Sequence, residues 1–203
     1  MMRLRSSSHS PYVRKVCVVA HELGIWPRIE LVPTKLRTEN PEFWNDNPLA
    51  KIPVLTAEDG TTYFESDVIC EYLDATFGNR RLLPGDGPAR WRALTTMALA
   101  DGVTAAGMLV RQENMKPAER RSSELIALQT GKVDRGLNRL QRDVANRSSD
   151  FDLPGIATAC AIGWLAFRFG DAAILGSRDE LRTWYQAVAA RPSMQATVPV
   201  EPT

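Results

Sequence analysis

The chain has 203 residues, with 25 Lys and Arg against 24 Asp and Glu and a formal net charge of +1. This balance indicates neither nucleic acid nor an anionic membrane surface as a partner. No apolar run approaches the roughly 20 residues that span a bilayer, and the first six residues lack the apolar stretch of a signal peptide. The three cysteines are far apart, which argues against a disulfide framework or a metal site. We therefore expect a cytoplasmic protein without a membrane segment.

The first 77 residues alternate strand and helix signals. Residues 3–6 predict a short strand, residues 11–23 an amphipathic helix and residues 28–32 a second strand. An irregular helix is expected over 40–47, followed by a hairpin of strands 53–56 and 61–64 around an Asp-Gly turn. A helix is then expected up to Phe77, with Ser66 as its N-cap. The order βαβ-ββα is that of a thioredoxin-like domain.

Strand signals stop after Phe77. Residues 78–87 are rich in turn formers and predict a linker. Residues 88–203 predict an all-α domain of four or five helices, with a central helix over 156–168 that is apolar nearly all round. The predicted fold class is thus α/β plus all-α, with a thioredoxin-like N-terminal domain (1–77) followed by an all-helical C-terminal domain (88–203).

Ser10 lies at the predicted N-terminus of the first helix, in the sequence Ser-Pro-Tyr-Val. Free N–H groups and the helix dipole favour an anion at that point. A cysteine there is a redox nucleophile in thioredoxin-like proteins, whereas a serine can donate a hydrogen bond to a bound thiolate and lower the pKa of its thiol. Ser7 is the alternative for this role, and the neighbouring His9 is a candidate substrate contact. Ser10 as a simple helix cap is the plain structural alternative.

Two further segments are candidate binding elements. In Lys51-Ile52-Pro53-Val54, a proline at the start of a strand suits a cis peptide bond. We expect main-chain groups of Val54 to pair there with an extended peptide. In Glu65-Ser66, a serine at a helix start suits a carboxylate, and Glu65 suits an ammonium group. A solvated Lys51 and a solvated Glu65 are the alternatives.

The order of these motifs resembles the glutathione S-transferase family. The resemblance is carried by residues 10–16, 47–55 and 65–73, and in the second half by Leu99-Ala100-Asp101-Gly102, residues 156–168 and residues 184–192. It departs from the family at the central helix, where Gly155 and Thr158 replace a Ser/Thr-x-x-Asp capping box; losing this side-chain cap costs only a few tenths of a kcal/mol if Gly155 serves in its place.

The resemblance implies a homodimeric glutathione transferase for detoxification, which joins the glutathione thiolate to a small hydrophobic electrophile. Glutathione is then a co-substrate, and no tightly bound cofactor or metal is expected. The implied catalytic residue is Ser10 (alternatively Ser7). The implied glutathione contacts are His9, Lys51, Ile52, Pro53, Val54, Glu65 and Ser66.

The electrophile site is expected at Tyr12 and along one face of a helix in the second domain. That face carries Asp101, Ala105, Met108 and Gln112 at spacings of three and four residues. Two alternatives stay open for the protein as a whole: a non-catalytic protein-binding module with this fold, and a glutathione-dependent thiol reductase or peroxidase. A cysteine at position 10 would favour the reductase.

Overall fold

The computed structural model describes residues 1–35, 40–145 and 151–201. The chain forms two compact units: Met1–Gly85 together with Arg191–Thr203, and Asp86–Ala190. The C-terminal residues thus group with the N-terminal unit. The predicted domain limits at residues 77 and 88 stay a prediction, because a division into compact units does not show that each part folds on its own.

The N-terminal unit contains a four-stranded sheet with helices around it. Its elements in chain order are β1 (Met2–Ser6), α1 (Pro11–Glu22), β2 (Ile29–Pro33), α2 (Pro41–Asp46), β3 (Val54–Thr56), β4 (Thr62–Phe64) and α3 (Ser66–Phe77). The strand order is β2-β1-β3-β4. β1 and β2 are parallel, while β3 is antiparallel to both β1 and β4. The predicted thioredoxin-like order βαβ-ββα is confirmed.

β1 is more polar than a central strand usually is, yet its alternation fits the sheet. Met2, Leu4 and Ser6 are buried, and the two arginines between them point to the other face. Arg5 forms an ion pair with Asp46 of α2, with 2.5 Å between Nε and Oδ2. Its guanidinium also lies 5.5 Å from the ring centre of Phe43. These contacts give a charged residue a defined place in the central strand.

The second unit consists of helices in the part of the chain that is described. They are α4 (Gly87–Asn114), α5 (Ser123–Ala145), α6 (Leu153–Phe169), α7 (Asp171–Leu175) and α8 (Asp179–Ala189). α6 is buried at every residue from Leu153 to Leu165, as its composition predicts for a central helix. A core cluster joins these helices, and its largest members include Leu137, Leu140, Ile162, Trp164, Leu165 and Leu181.

The cap of α6 differs from the expectation. The helix begins at Leu153, and the Asp152 side chain accepts a hydrogen bond from the Gly155 N–H at 3.0 Å. The expected loss of a side-chain cap is therefore wrong: the capping residue lies three positions before Gly155 and is an aspartate. Asp is among the best N-cap residues.

α4 is long and apolar enough to cross a membrane by length and composition alone, and 39% of its most apolar window is buried inside the structure. A core helix of a globular protein meets the same criteria. α4 packs against α5 and α6 within the helical unit.

The C-terminal residues are held at the end of α1 by Glu22. Its carboxylate accepts hydrogen bonds from Arg191 Nε at 3.0 Å and Nη2 at 2.7 Å, and from Ser193 Oγ at 2.5 Å. The short helix α9 (Pro192–Gln195), which the sequence analysis does not predict, begins directly after Arg191 and contains Ser193. Burial raises the pKa of Glu22, but the hydrogen bonds from Arg191 and Ser193 outweigh burial and leave the pKa below its usual value.

This lowered pKa predicts a pH-dependent contribution to stability. A carboxyl with a lower pKa in the folded state stabilises the fold above its unfolded pKa of about 4.3, and the contribution is lost as pH falls through the folded value. We expect Glu22→Gln to lower the free energy of unfolding by about 1–3 kcal/mol at pH 7, and by clearly less at pH 3.5. Urea unfolding of both proteins at the two pH values measures this. An equal loss at both pH values would rule out the ionised carboxylate as the source.

Candidate functional site

Three loops meet at one end of the sheet. Arg5 of β1 is paired with Val54 of β3, and Val54 is paired with Phe64 of β4. The end of β1, the start of β3 and the end of β4 are therefore neighbours. The residues just beyond these points are Ser7–Ser10, Lys51–Pro53 and Glu65–Ser66, so the fold brings the predicted motifs together at a single edge.

The first loop leads into α1. Ser10 is the N-cap of this helix: its Oγ accepts a hydrogen bond from the Val13 N–H at 3.3 Å, and Pro11 occupies the first helical turn. Ser10 N–H in turn donates to the Ser7 carbonyl at 3.2 Å. A serine hydroxyl that accepts from the backbone still has its own proton to donate. Ser10 can therefore cap the helix and donate to an anion at the same time.

Ser7 has a different environment. Its Oγ lies 3.0 Å from His9 Nδ1, within hydrogen-bond distance. The direction of this bond depends on the tautomer of the imidazole. When Nδ1 is the acceptor, the single hydroxyl proton of Ser7 is used inside the loop. Ser7 and His9 thus form a pair, whereas Ser10 bonds to the helix backbone.

The second loop is built around Asn47, which is 1% exposed. Its Nδ2 donates to the Lys51 carbonyl at 2.9 Å, and its Oδ1 accepts from the Leu49 N–H at 3.0 Å. The following Ile52–Pro53 peptide bond is cis, as the sequence analysis expects. Lys51 is exposed, while Ile52 and Pro53 are buried. Asn47 shapes this loop, a role that the sequence analysis misses; the Asn-Pro dipeptide signals only a turn.

Val54 differs from the expectation. The Ala57 N–H donates to the Thr61 carbonyl at 2.8 Å, which places the main-chain groups of Ala57 on the β4 side. Because these groups alternate along a strand, those of Val54 face its partner Arg5 in β1. The expectation that they are free to pair with a peptide is wrong. Ile52 precedes the strand and lies outside the ladder.

The third loop joins β4 to α3. The helix begins at Ser66, and Glu65 is its capping residue, without a side-chain hydrogen bond at the cap. The predicted N-cap is therefore shifted by one residue. Glu65 has a φ of 67°, a left-handed conformation that costs a non-glycine residue energy and is often found at functional sites. Ser66 is buried and Glu65 exposed, so the loop presents a carboxylate beside a helix N-terminus.

An ion pair with a buried lysine joins α1 and α3, the helices that follow the first and third loops. Lys15 of α1 is 2% exposed, and its Nζ lies 2.5 Å from Oδ1 of Asp67, the second residue of α3. The pair connects the helix capped by Ser10 to the helix that begins at Ser66. The sequence analysis misses it, because the two residues are 52 positions apart and each resembles an ordinary surface charge in the sequence.

The residues predicted for the electrophile site lie in both units. Tyr12 is on the first turn of α1 and is half-buried. On α4, Asp101 and Met108 are half-buried and Ala105 is exposed, as is Gln112. Met108 packs against the core cluster of the helical unit. Their assignment to a substrate site stays a prediction.

The described residues contain no group of three or more His, Cys, Asp or Glu side chains that could hold a metal ion. Cys17, Cys70 and Cys160 lie outside any disulfide, and all three are buried. Among the described residues, the three loops at this edge of the sheet offer hydroxyl and main-chain groups for hydrogen bonding, together with charged side chains.

A four-stranded sheet of thioredoxin-like order followed by a helical unit defines the class of fold: a thioredoxin-like domain joined to a helical one. Residues 9–76 match the family model "Glutathione S-transferase, N-terminal domain". The GST-like protein YibF of Escherichia coli (strain K12) is 34% identical over 171 residues, which are 82% of this chain and 83% of YibF. The chain belongs to the glutathione S-transferase family.

Solved structures agree. A glutathione transferase family member from Pseudomonas fluorescens Pf-5 with bound glutathione is 38% identical, with a TM-score of 0.93 over 99% of this chain and 100% of that one. A second structure from Pseudomonas fluorescens Pf-5, with bound S-(propanoic acid)-glutathione, is also 38% identical, with a TM-score of 0.88 over 98% of this chain and 100% of that one.

Proposed function

We propose that this protein binds glutathione and transfers its thiolate to small hydrophobic electrophiles. The observation that carries the proposal is the meeting of Ser10, the Ile52–Pro53 loop and Glu65–Ser66 at one edge of the sheet. Each suits a different part of the tripeptide: an anionic sulfur, an extended backbone and a γ-glutamyl end with both charges. Bound glutathione in one relative, and an S-substituted glutathione in a second structure, support the same ligand class.

For the backbone of the cysteinyl residue we favour Ile52 over Val54. The main-chain groups of Val54 face the ladder with β1, while Ile52 lies just before it. A peptide laid along this loop extends the sheet at its end, as in other cases of strand addition. Lys51, His9 and the cis Pro53 flank that position and remain candidate contacts.

The γ-glutamyl end is assigned to Glu65 and Ser66. The N-terminus of α3 favours a carboxylate, because its first N–H groups lack partners within the helix. The exposed Glu65 carboxylate beside it then attracts the α-ammonium group. This assignment gives a reason for the left-handed backbone of Glu65, whose strain is offset by an ion pair when the ligand is bound.

The reaction needs a thiolate at neutral pH. The Ser10 hydroxyl donates a hydrogen bond to the sulfur, and the N-terminus of α1 adds a favourable partial charge. The thiol proton leaves to solvent, and the thiolate attacks the electrophilic carbon. A carbon–sulfur bond forms, and the leaving group departs with its electron pair. The activated nucleophile belongs to the substrate, with no covalent bond to the protein.

A thiol reductase is disfavoured by the cysteines. Position 10 is a serine, and all three thiols of the chain are buried, whereas a redox cysteine must be accessible as a thiolate. Cysteines outside disulfides also suit a reducing cytoplasm.

The homodimer is part of the proposal as well. Phe64 on the edge strand and Val68 on α3 are exposed apolar side chains, and they form a surface that a second subunit would cover.

Binding and turnover need separate experiments. We expect retention on immobilised glutathione, a micromolar to millimolar Kd by calorimetry and conjugation of chlorodinitrobenzene followed by absorbance. Absence of binding would overturn both the transferase and the reductase hypotheses. Binding without conjugation, and with no change in Ser10→Ala, would instead favour the non-catalytic module.

A further inference from the structure

The C-terminal segment, defined here as Arg191–Glu201, runs along α1 toward the first loop of the site, Ser7–Ser10, which we call the serine loop. Arg191 and Ser193 bond to Glu22 at the last residue of the helix. Farther along, Arg14 donates from Nη2 to the Met194 carbonyl at 3.1 Å. The segment therefore follows α1 from its C-terminal end toward its N-terminal end.

Arg14 makes the middle contact a firm one. The side chain is 7% exposed, and it also donates from Nε to Thr197 Oγ1 at 3.4 Å. Hydrogen bonds from a buried cation contribute more than neutral ones. Its Nη1 is buried and has no hydrogen-bond partner within the described part of the chain. Two of the three guanidinium nitrogens thus bind the C-terminal segment.

The segment ends on the serine loop through Val200. The Val200 N–H donates to the Ser8 carbonyl at 3.3 Å, and the Val200 carbonyl accepts from Ser8 Oγ at 3.2 Å. Val200 takes part with its backbone alone, and its side chain is 54% exposed. Ser8 stands between Ser7 and Ser10, the two candidates for contact with the sulfur.

The loop between β1 and α1 consists of four residues, and the Ser10–Ser7 backbone bond and the Ser7–His9 pair lie within it. Ser8 itself is exposed. A hydrogen-bond donor for a thiolate must be held within a fraction of an ångström of its productive position. An outside contact on Ser8 supplies such a restraint.

We propose that Val200 is a positioning residue for thiol activation: its backbone bridge to Ser8 holds the Ser7–Ser10 loop, and with it the hydroxyl that stabilises the glutathione thiolate. The inference rests on the proposed function. The Glu22 and Arg14 contacts align the segment, and the bridge transmits that alignment to the loop.

The test compares Val200→Pro with Val200→Ala in the full-length chain. Proline removes the N–H that donates to Ser8, while alanine keeps it and changes only an exposed side chain. We expect faster amide hydrogen exchange in a peptide covering residues 5–12 of the ligand-free Val200→Pro protein, with no change over residues 62–70. Val200→Ala is expected to match the wild type in both peptides.

The decisive measurement is the pKa of the thiol of bound glutathione, which is obtained by monitoring the ultraviolet absorbance of the thiolate as the pH is varied. We expect Val200→Pro to raise this pKa and to lower kcat for conjugation about tenfold near pH 6.5. KM for glutathione is expected to stay within about twofold of the wild type, because its other contacts lie on the remaining loops. Deletion of residues 198–203 is a second variant with the same expected pattern.

An unchanged exchange rate in both Val200→Pro and the deletion variant would overturn the inference. So would faster exchange with an unchanged thiol pKa, which would make the bridge merely structural. A wild-type protein that does not bind glutathione would overturn the proposed function, and the role in thiol activation with it. The ligand-free exchange data would then still report whether Val200 holds the loop.

Discussion

Ser10→Ala is expected to lower kcat for glutathione conjugation about 10- to 100-fold at pH 6.5. A hydrogen bond to a charged acceptor contributes about 1.5–3 kcal/mol, and each 1.36 kcal/mol is about tenfold in rate. The loss should shrink above the pKa of free glutathione, where the thiolate forms without help. The pH dependence of kcat measures both effects.

Loss of the helix cap must be separated from loss of the donor. Ser10 Oγ accepts from the Val13 N–H, and replacement of such a cap by alanine costs about 1 kcal/mol of stability, while glycine costs only a few tenths. Ser10→Gly should therefore lose as much activity as Ser10→Ala but keep more of the stability. Ser10→Thr retains a hydroxyl and should keep most of both.

Ser7→Ala decides between the two serines. We expect it to change kcat less than about threefold, because its hydroxyl lies within hydrogen-bond distance of His9 in the loop. A large loss in Ser7→Ala together with a small one in Ser10→Ala would transfer the donor role to Ser7. Comparable losses in both would show that the Ser7–His9 pair and Ser10 act on the sulfur together.

Local sequence patterns predicted the order of the elements well. Alternation, helical spacing and turn formers locate the strands and helices of the N-terminal unit, and Pro11 and Gly24 mark the limits of α1. The motif order also located the three loops of the site. The starts of α3 and α6 were predicted less accurately. The cap at Glu65 depends on its backbone conformation, which the sequence does not show. The cap at Asp152 was missed because the family's capping pattern directed attention to Gly155.

Contacts between distant residues were not predictable from one sequence. The direction of the main-chain groups of Val54 follows from the pairing of three strands, and a shift of one residue would reverse it. The return of residues 191–201 to α1 depends on Glu22 and Arg14, which resemble ordinary surface charges on an amphipathic helix. Helical spacing predicts that α1 has a buried face; it does not predict that Arg14 and Lys15 are buried with it.

The second large effect concerns the Lys15–Asp67 pair. Asp67→Asn is expected to lower the free energy of unfolding by about 3 kcal/mol at pH 7, because it removes the anionic partner of a cation that is 2% exposed. Lys15→Met should cost less, since it removes the buried charge itself and keeps an apolar stem, while Asp67 remains 36% exposed to solvent. The double variant should lie close to the wild type. Urea unfolding of the four proteins gives the coupling energy.

Glutathione affinity is expected to follow a different order from stability. Asp67 lies in the first turn of α3, beside the proposed carboxylate site at Ser66, and Lys15 neutralises it there. In Lys15→Met the Asp67 charge repels the incoming carboxylate, so the Kd for glutathione should rise severalfold. Adding Asp67→Asn should restore affinity. Calorimetry on the same four proteins tests this: if affinity simply tracks stability, the pair supports the fold and has no electrostatic role in the carboxylate site.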